Sequence, residues 1–452
     1  MLTNGEVSFW HHKLGGRPEL RKPLERSIDR DILIVGGGFT GLWAAYYLKK
    51  ENPELNIALA EANFCGFGAS GRNGGGVGAN LSLAKSKDNG SGHHRINQAM
   101  EQSVIELVER IEQENIQADL VKVGSMRVAH SNAALKRIQN LEQTEDVLLL
   151  SAAEVKAQIN IPTARGGVVH KNSYSLNPAK LVRQLASIVE NLGVEIYENT
   201  AVTSVSNRVA QTETGYSVKA NVIVLATEGY TSSIDGFARQ RIPMNSSMIA
   251  TQVIPEEIWE KIGWQNRVSL GEVAHSILYS QHTPDGRIAI GGRGYPYLYG
   301  SKTDKNGNTK EGTIRELTNI LNRWIPDTKG LEIEHAWSGV LGVPRDWSAS
   351  VGYDPQTGIA WAGGYVGSGV VVSNLSGRTL RDLILGKKSE LVDQIWVNHQ
   401  SKKWEFEPLR WIGIHTMYKM YNMADDIERK HPDRNKTSKI AKIANLVSGK
   451  PY

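Results

Sequence analysis

The residues best suited to chemistry form two groups near the N-terminus, and the first is Gly36-Gly37-Gly38-Phe39-Thr40-Gly41. This GxGxxG spacing lets the backbone turn tightly and approach a pyrophosphate, while the helix that follows points amide donors at the phosphates. Glu61 comes 20 residues after Gly41, where an acid would hold the ribose hydroxyls of an adenine dinucleotide. The pattern therefore predicts dinucleotide binding, and an acid at position 61 argues against a 2′-phosphate.

The second group is the segment 66–78, in which seven of thirteen residues are glycine. Arg72 and Asn73 lie inside it, so we interpret the glycines as backbone chemistry rather than as a flexible linker. A nicotinamide-dependent dehydrogenase has no physical need for such a loop directly after the acid. A flavin ring is long and flat and has to lie against backbone, so the loop favours FAD over NAD.

Alternating strands and helices must position these two groups. Apolar runs predict strands at 32–35, 56–60, 222–226, 287–290 and 359–362, and apolar stripes predict helices at 42–48, 100–111, 181–192 and 375–384. The elements alternate at both ends of the chain around a more irregular, β-rich middle. The predicted fold is therefore α/β, with a Rossmann-like FAD-binding domain interleaved with a mixed-sheet α+β substrate domain.

This interleaving defines the expected domains. The FAD-binding domain is expected to comprise 1–99, 166–239 and 336–390, the substrate domain 100–165 and 240–335, and a helical extension with a basic tail 391–452.

Motifs spread over about residues 7–413 resemble the D-amino-acid oxidase superfamily of FAD enzymes, within it the branch of γ-glutamylputrescine oxidase and glycine oxidase-like proteins. The resemblance implies an FAD-binding fold similar to that of glutathione reductase and p-hydroxybenzoate hydroxylase. Besides the two glycine-rich groups, it rests on these motifs: Val7-Ser8-Phe9-Trp10, Leu176-Asn177-Pro178, Ala226-Thr227-Glu228-Gly229-Tyr230, Gly286-Arg287, Gly291-Gly292-Arg293, Trp337-Ser338-Gly339, Pro344-Arg345-Asp346 and Gly363-Gly364-Tyr365-Val366-Gly367-Ser368-Gly369.

The resemblance also implies which residues contact the cofactor. Dinucleotide contacts would fall on Gly36, Gly38, Phe39, Thr40, Gly41, Glu61 and Ala62. The pyrophosphate and flavin would meet Gly68, Ala69, Ser70, Arg72, Asn73, Gly74 and Gly75, the adenosine side Val202 and Thr227, and the pyrimidine end Gly364, Gly367, Gly369 and Val370. Some relatives attach flavin through a histidine or cysteine near the ring. Here the loop carries Asn73, and Cys65 precedes it on the adenosine side, so we expect a non-covalent FAD.

The activity implied by the resemblance is oxidation of a C–N bond in a small amine or amino acid. Hydride would pass from the α-carbon to flavin N5, the imine would hydrolyse to an aldehyde or oxo acid, and O2 would reoxidise the flavin. Two alternatives stay open. One is a D-amino-acid or glycine-type dehydrogenase that uses a quinone or respiratory acceptor, and the other is a flavoprotein module that acts only with a biosynthetic partner.

The substrate-side candidates come from strands expected to floor the pocket, and each has a structural alternative. Arg293 could grip a carboxylate or phosphonate, or pair with an acid such as Glu272. His275 and Tyr279 are expected on one face of a strand, where one of them could tune amine protonation. Arg345 is expected to pair with Asp346 near the flavin. Two aromatic side chains beside glycines could wall the pocket or belong to the core: Trp337 and Tyr365.

Composition sets further bounds on 452 residues with a net charge of +5. Cys65 is the only cysteine, which excludes an intramolecular disulfide and fits a cytoplasmic location. We expect no membrane span, no metal site and no nucleic-acid partner. The segment 428–452 carries the whole excess of positive charge, and peripheral contact of this tail with a membrane surface stays open.

Overall fold

The computed structural model describes residues 1–83, 91–264, 266–292 and 296–448. Its strands are β1 (Thr3–Asn4), β2 (Ile28–Val35), β3 (Ile57–Ala60), β4 (Gly76–Val77), β5 (Val121–Lys122), β6 (Ser125–Ala129), β7 (Val147–Ser151), β8 (Gly166–His170), β9 (Tyr174–Ser175), β10 (Glu195–Tyr197), β11 (Val202–Ser206), β12 (Val209–Thr212), β13 (Ser217–Leu225), β14 (Ile242–Thr251), β15 (Ser269–Glu272), β16 (Tyr279–His282), β17 (Ile288–Gly291), β18 (Ile333–Val343), β19 (Ser350–Asp354) and β20 (Ile359–Gly363). Its helices are α1 (Phe9–His12), α2 (Phe39–Glu51), α3 (Ser91–Gln113), α4 (Asn132–Ile138), α5 (Ala152–Gln158), α6 (Pro178–Asn191), α7 (Glu256–Ile262), α8 (Glu311–Trp324), α9 (Gly369–Ile384), α10 (Leu409–Lys430) and α11 (Lys439–Ser448).

The first sheet carries the nucleotide-binding motif. Its central strands run parallel in the order β10-β3-β2-β13-β20, and β11, β12 and β19 add antiparallel neighbours. Val35 pairs with Ala60 on one side and with Leu225 on the other, so β2, β3 and β13 end at the same edge. Open α/β sheets bind ligands at this edge. The predicted α/β fold with a Rossmann-like sheet is confirmed.

Helices α2, α6 and α9 pack against this sheet. Eleven of the thirteen residues of α2 are buried, as expected of a helix whose whole circumference is apolar. A Cβ on Gly377 of α9 would lie 2.8 Å from the backbone carbon of Trp43, so glycine there permits the close approach of α9 to α2. The side chain of Asn177 caps α6 by accepting from the amides of Ala179 and Lys180.

The second sheet forms the opposite layer of the site. Within the described residues it has nine strands in the order β1-β18-β14-β17-β16-β15-β6-β8-β7. A core of buried residues, including Ile249, Ile290 and Leu317, lies between it and α7 and α8. Strands β1 and β8 and most of β18 belong to this sheet although the predicted segments assigned them to the FAD-binding part. The division of the chain into domains stays a prediction.

The C-terminal segment adds α10 and α11, which pack against each other and onto the second sheet. Their buried residues Ile414, Met417, Tyr421 and Ala444 share one core cluster with residues of β14 and β18. No helix of the described chain is long and apolar enough to cross a membrane.

Candidate cofactor and substrate site

The turn after β2 is built so that only glycine fits at key positions. Gly36 has φ +111°, and a Cβ there would lie 2.7 Å from the carbonyl oxygen of Ala226. A Cβ on Gly41 would lie 2.0 Å from the carbonyl oxygen of Gly36. Gly38 is the N-cap of α2 and brings no side chain to the first-turn amides. Ser70 Oγ of the glycine-rich loop accepts from the amide of Phe39 (2.9 Å), so this loop and the start of α2 meet where a pyrophosphate would bind.

Glu61 lies directly after β3 and faces this turn. Its carboxylate accepts hydrogen bonds from the amides of Gly37 (2.7 Å) and Asn63 (2.9 Å). Burial raises the pKa of Glu61 to about 7. The two hydrogen bonds lower this pKa, and the nearby charge of Glu198 raises it. A carboxylate at this depth can accept hydrogen bonds from ribose hydroxyls, which is the role that the sequence predicted for it.

The glycine-rich loop is held by side chains from distant parts of the chain. Ser8 Oγ donates to the carbonyl of Gly71 (2.7 Å), Trp10 Nε1 to that of Asn73 (2.8 Å) and Trp337 Nε1 to that of Arg72 (2.9 Å). Trp337 is fully buried in this role, which is the structural alternative stated for it. The motif at residues 7–10 was the sequence signal for these contacts, although it did not assign them.

His11 was missed by the sequence analysis as part of this support. Its Nδ1 lies 2.9 Å from Nη2 of Arg183, and its Nε2 lies 3.3 Å from the carbonyl oxygen of Gly66. Burial, together with the charge of Arg183, lowers the pKa of His11 to about 3. The ring is therefore neutral, with Nδ1 accepting from Arg183 and Nε2 donating to the loop.

Arg72 is the buried centre of the loop. It is 3% exposed, and its guanidinium donates from Nε to the carbonyl of Phe67 (2.7 Å) and from Nη1 to that of Ser338 (3.0 Å). Burial lowers its pKa. Because these acceptors are backbone carbonyls from the loop and from β18, Arg72 fixes the loop against the second sheet.

The next glycines of the loop meet the second sheet directly. A Cβ on Gly74 would lie 2.6 Å from the ring of Tyr279 on β16, and Met248 on β14 is also close. Gly75 has φ +69°, and a Cβ there would lie 2.1 Å from the carbonyl oxygen of Leu176. Tyr279 Oη lies 3.2 Å from Ser246 Oγ. The structure therefore brings Tyr279 to the cofactor loop.

The loop before α9 is the third part of the site. The carboxylate of the partly buried Glu228 accepts from the amides of Gly364 (3.0 Å) and Tyr365 (3.2 Å). Tyr365 Oη donates to Ser376 Oγ (2.9 Å) and lies 3.0 Å from Thr40 Oγ1. Tyr365 therefore joins α2 to α9, which is again the structural alternative for a predicted substrate residue. The helix begins at Gly369, so its N-terminal amides lie at the end of this loop.

Two expectations about the substrate candidates were wrong. His275 precedes β16 and does not share a strand face with Tyr279: its Nε2 is 3.0 Å from Glu428 Oε1, and its amide donates to Asp425. Arg345 does not pair with Asp346. Its Nε donates to Glu405 (2.9 Å), whereas Asp346 accepts from Ser401 and lies 2.7 Å from Nε2 of His399.

Both expectations fail because the C-terminal segment supplies other partners. Glu405 binds Arg345, and Asp425 and Glu428 bind His275. Arg293 lies outside the described residues. The described residues contain no group of three or more side chains that could hold a metal ion.

Cys65 lies behind the nucleotide turn and is 2% exposed. A Cβ on Gly37 would lie 2.7 Å from its Sγ. Burial, and then the nearby Glu61 and Glu198, raise the pKa of its thiol well above the ordinary value. We expect native protein to resist labelling by a disulfide reagent until it is unfolded, and acid precipitation to release the flavin. Fast labelling of native protein would contradict a buried, protonated Cys65 thiol. Flavin that stays in the acid pellet would contradict non-covalent binding.

The geometry fits FAD at each of these places. A Cβ on Gly38 would lie 2.9 Å from Ser70 Oγ, so glycine there lets the glycine-rich loop approach the start of α2 closely. Glu61 supplies a ribose acceptor, and the Gly74 region supplies backbone against which a flat ring can lie.

Comparison with known families agrees with this reading of the geometry. The family model DAO, described as FAD dependent oxidoreductase, matches residues 31–383. The chain belongs to this family. It is an FAD-dependent oxidoreductase related to amine and amino-acid oxidases, as predicted.

Relatives and solved structures resemble the chain over most of its length. It is 25% identical over 378 residues to γ-glutamylputrescine oxidoreductase of Escherichia coli K12, covering 80% of this chain and 85% of the relative. It is 21% identical over 381 residues to glycine oxidase of Bacillus subtilis 168, covering 81% and 95%. The crystal structure of glycine oxidase from Geobacillus kaustophilus superimposes with a TM-score of 0.68 at 20% identity, covering 82% of this chain and 99% of that one. These likenesses confirm the predicted fold.

Proposed function

We propose that this chain oxidises the C–N bond of a small amine or amino acid to an imine, which water splits to an aldehyde or oxo acid. The observation that carries the proposal is the contact of Gly74 with Tyr279 and Met248, since it sets the cofactor loop against the second sheet. The proposal is supported by relatives whose names denote such substrates, among them γ-glutamylputrescine oxidoreductase, glycine oxidase and sarcosine oxidase subunit beta.

FAD, when bound, would supply a two-electron acceptor for the hydride of the substrate α-carbon, and in this proposal O2 would be the final acceptor and would be reduced to hydrogen peroxide. The residues proposed to hold it without a covalent bond are those named from the resemblance. Glu61 and the turn at Gly36 to Gly41 would bind the dinucleotide, and the loop around Arg72 would carry the ring. The amides at the start of α9 would stabilise negative charge at its pyrimidine end.

The chain's own contribution to the reaction is positioning and exclusion of water. Glu228 fixes the Gly364–Gly369 loop, and Arg72 and Trp337 fix the Gly74 loop, so both are preorganised. Burial raises the pKa of Tyr279, which keeps its hydroxyl protonated near neutral pH. Tyr279 Oη can therefore donate a hydrogen bond to the bound substrate while its ring and Met248 exclude water.

Product analysis tests the reaction itself. Purified holoenzyme would be incubated in air with primary amines, N-methyl amino acids and D-amino acids, and the carbonyl product, ammonia or amine, and peroxide would be quantified. We expect one molecule of carbonyl product for each molecule of hydrogen peroxide. Carbonyl formed without peroxide would contradict O2 as the acceptor, and absence of a carbonyl product with every compound, even with an artificial electron acceptor present, would contradict C–N oxidation.

A matched pair of glycine variants tests the location of the site. Gly74→Ala places a Cβ against the Tyr279 ring, so we expect turnover to fall by about 100-fold because the ring and loop must move apart. Gly76→Ala is the control, since nothing lies within 4 Å of its Cβ position. Steady-state rates and flavin content would be measured for both. Equal rates in the two variants would contradict a reaction site at the contact between Gly74 and Tyr279.

A quinone-linked dehydrogenase is the second candidate function, and an exposed apolar face of α11 favours it. Ile443, Leu446 and Val447 are 54%, 84% and 62% exposed, and Lys439 and Lys442 lie on the same helix. Such a helix suits contact with an anionic lipid surface. Turnover with a soluble quinone but without peroxide, together with sedimentation on vesicles of anionic lipid that Leu446→Glu abolishes, would support this candidate over the oxidase.

A further inference from the structure

Helix α10 lies beyond residue 383, where the family match ends, and presents an ordered row of polar and aromatic side chains. The row is spaced by three and four residues, so its members share one side of the helix. They are Trp411, His415, Tyr418, Asn422 and Asp425.

Contacts on both sides of Tyr418 show what this row faces. His415 Nε2 donates to the carbonyl of Tyr297 (2.9 Å). One turn beyond Tyr418, Asn422 Oδ1 accepts from Ser276 Oγ (3.0 Å), and Asp425 accepts from the amide of Ser276 (3.1 Å). Along α10, Tyr418 therefore lies between the contact with the segment before β16 and the contact with the segment after β17.

These two segments lead to the cofactor loop. Ser276 lies just before β16, whose first residue is Tyr279, and Tyr297 follows β17, whose last residue is Gly291. Tyr279 and Gly291 are paired across the two antiparallel strands. Since the ring of Tyr279 meets Gly74, this side of α10 lies at the same end of the β16–β17 pair as the cofactor loop.

The hydroxyl of Tyr418 has no hydrogen bond to the described residues and is not enclosed by protein atoms. Burial, and then the neighbouring Tyr421, raise its pKa, and the ring packs against a core cluster shared with β14 and β18. Part of the side chain is nevertheless accessible, and no described residue forms a hydrogen bond with its Oη. A hydroxyl that is accessible and that no described protein group satisfies is available to a hydrogen-bond acceptor on a ligand.

The side chains that pack against the same cluster as Tyr418 are apolar. Leu341 of β18, Val366 of the loop before α9, and Trp411 are also partly accessible and pack against the same buried cluster as Tyr418. Val366 stands between Tyr365 and Gly367, so this cluster reaches the loop proposed for the pyrimidine end of the flavin. A charged group would be expensive among these side chains, whereas an alkyl chain would be stabilised.

We propose that α10 forms a wall of the substrate pocket and that Tyr418 Oη binds a hydrogen-bond acceptor on an otherwise apolar, uncharged substituent of the amine. Tyr418 is thus a specificity-determining residue supplied by the C-terminal segment. The inference rests on the proposed function, because it assigns the part of the substrate that points away from the reacting C–N bond.

Matched pairs of amines of equal heavy-atom length test the inference with the holoenzyme. The pairs run from propylamine and 2-aminoethanol to hexylamine and 5-aminopentan-1-ol, so each amino alcohol replaces a terminal methyl with a hydroxyl. Binding is read from perturbation of the flavin absorption band, and reduction from its anaerobic bleaching. Wild-type protein should prefer the amino alcohol of the best-fitting length, and Tyr418→Phe should lose about 3- to 10-fold of that preference, in KM rather than kcat.

Tyr421→Phe is the control, because it removes the same atom from the same helix. Its hydroxyl donates to Asn445 Oδ1 (2.6 Å) and lies near Ser448 Oγ, within the C-terminal helices. It should keep the wild-type preference. No preference in the wild type, retention of it in Tyr418→Phe, or equal loss in Tyr421→Phe would overturn the role of Tyr418. Failure of every amine to bleach wild-type flavin would instead overturn the proposed function, and the binding signal would still report on Tyr418.

Discussion

Replacing Glu61 by glutamine is expected to weaken FAD binding by about 100-fold, since two hydrogen bonds to a charged acceptor are worth about 1.5–3 kcal/mol each and glutamine offers one neutral oxygen. The NH2 group of the glutamine is a donor and would face the amide of Gly37 or Asn63. Both of these amides donate to the carboxylate of Glu61 in the wild type. Flavin fluorescence titration of the apoprotein would measure the dissociation constant.

The pKa of Glu61 gives this variant a pH signature. In the apoprotein burial raises that pKa from 4.5 to about 7. Because the pKa of Glu61 is higher in the folded than in the unfolded protein, protonation of Glu61 stabilises the fold. This contribution is complete below about pH 4.5 and is lost as the pH rises through about 7. FAD binding needs the carboxylate, so the affinity of the wild type should fall about tenfold per pH unit below about 7. Glu61→Gln should show neither dependence.

The exposed Glu54, just before the same strand, provides the control. Glu54→Gln should leave both the FAD affinity and its pH dependence at wild-type values. Wild-type affinity in Glu61→Gln would mean that the ribose lies elsewhere, and an affinity in the wild type that is flat from pH 5 to 8 would mean that Glu61 is ionised throughout.

Replacing Arg72 by methionine is expected to lower the free energy of unfolding by about 3–5 kcal/mol, because buried carbonyls lose a charged donor at once. The guanidinium donates to the carbonyls of Phe67, Ser338 and Lys305, at 2.7, 3.0 and 3.4 Å. Lysine should rescue little, since a point charge cannot reproduce the planar fork. Urea unfolding would measure stability, and flavin content should fall in parallel because the loop loses its fixed position.

Arg315→Met is the matched control for this change. Arg315 is 73% exposed and pairs across one helical turn with Glu311, at 3.6 Å, so its loss should cost under about 0.5 kcal/mol. A wild-type unfolding midpoint together with full flavin content in Arg72→Met would show that the loop does not depend on Arg72.

The nucleotide half of the site was predictable from the sequence because its chemistry is backbone chemistry. Steric conflicts at Gly36 and Gly41 leave only glycine, and the spacing to Glu61 follows from the length of one helix and one strand. Such constraints are local along the chain. The strand, turn, helix and acid therefore appear in the structure as predicted, and family comparison confirms FAD.

The substrate side was less predictable because its contacts depend on residues far apart in sequence. His275 meets Glu428 over 153 positions, and Arg345 meets Glu405 over 60. The alternation of residues within a short segment could not predict that His275 would contact Glu428 and Asp425 on a C-terminal helix. Trp337 and Tyr365 were found as aromatic residues near the flavin loops, but only the structure shows that their polar atoms bond to Arg72 and Ser376.

The most direct test of the central claim is the absorption spectrum of the purified protein under anaerobic titration with amines and D-amino acids, followed by air. We expect a flavin spectrum that one class of substrate bleaches and that returns in air, with formation of peroxide. An oxidised flavin that no amine or amino acid reduces would contradict amine oxidation and favour a module that needs a partner. Purified protein that binds no flavin would contradict the assignment of the site itself.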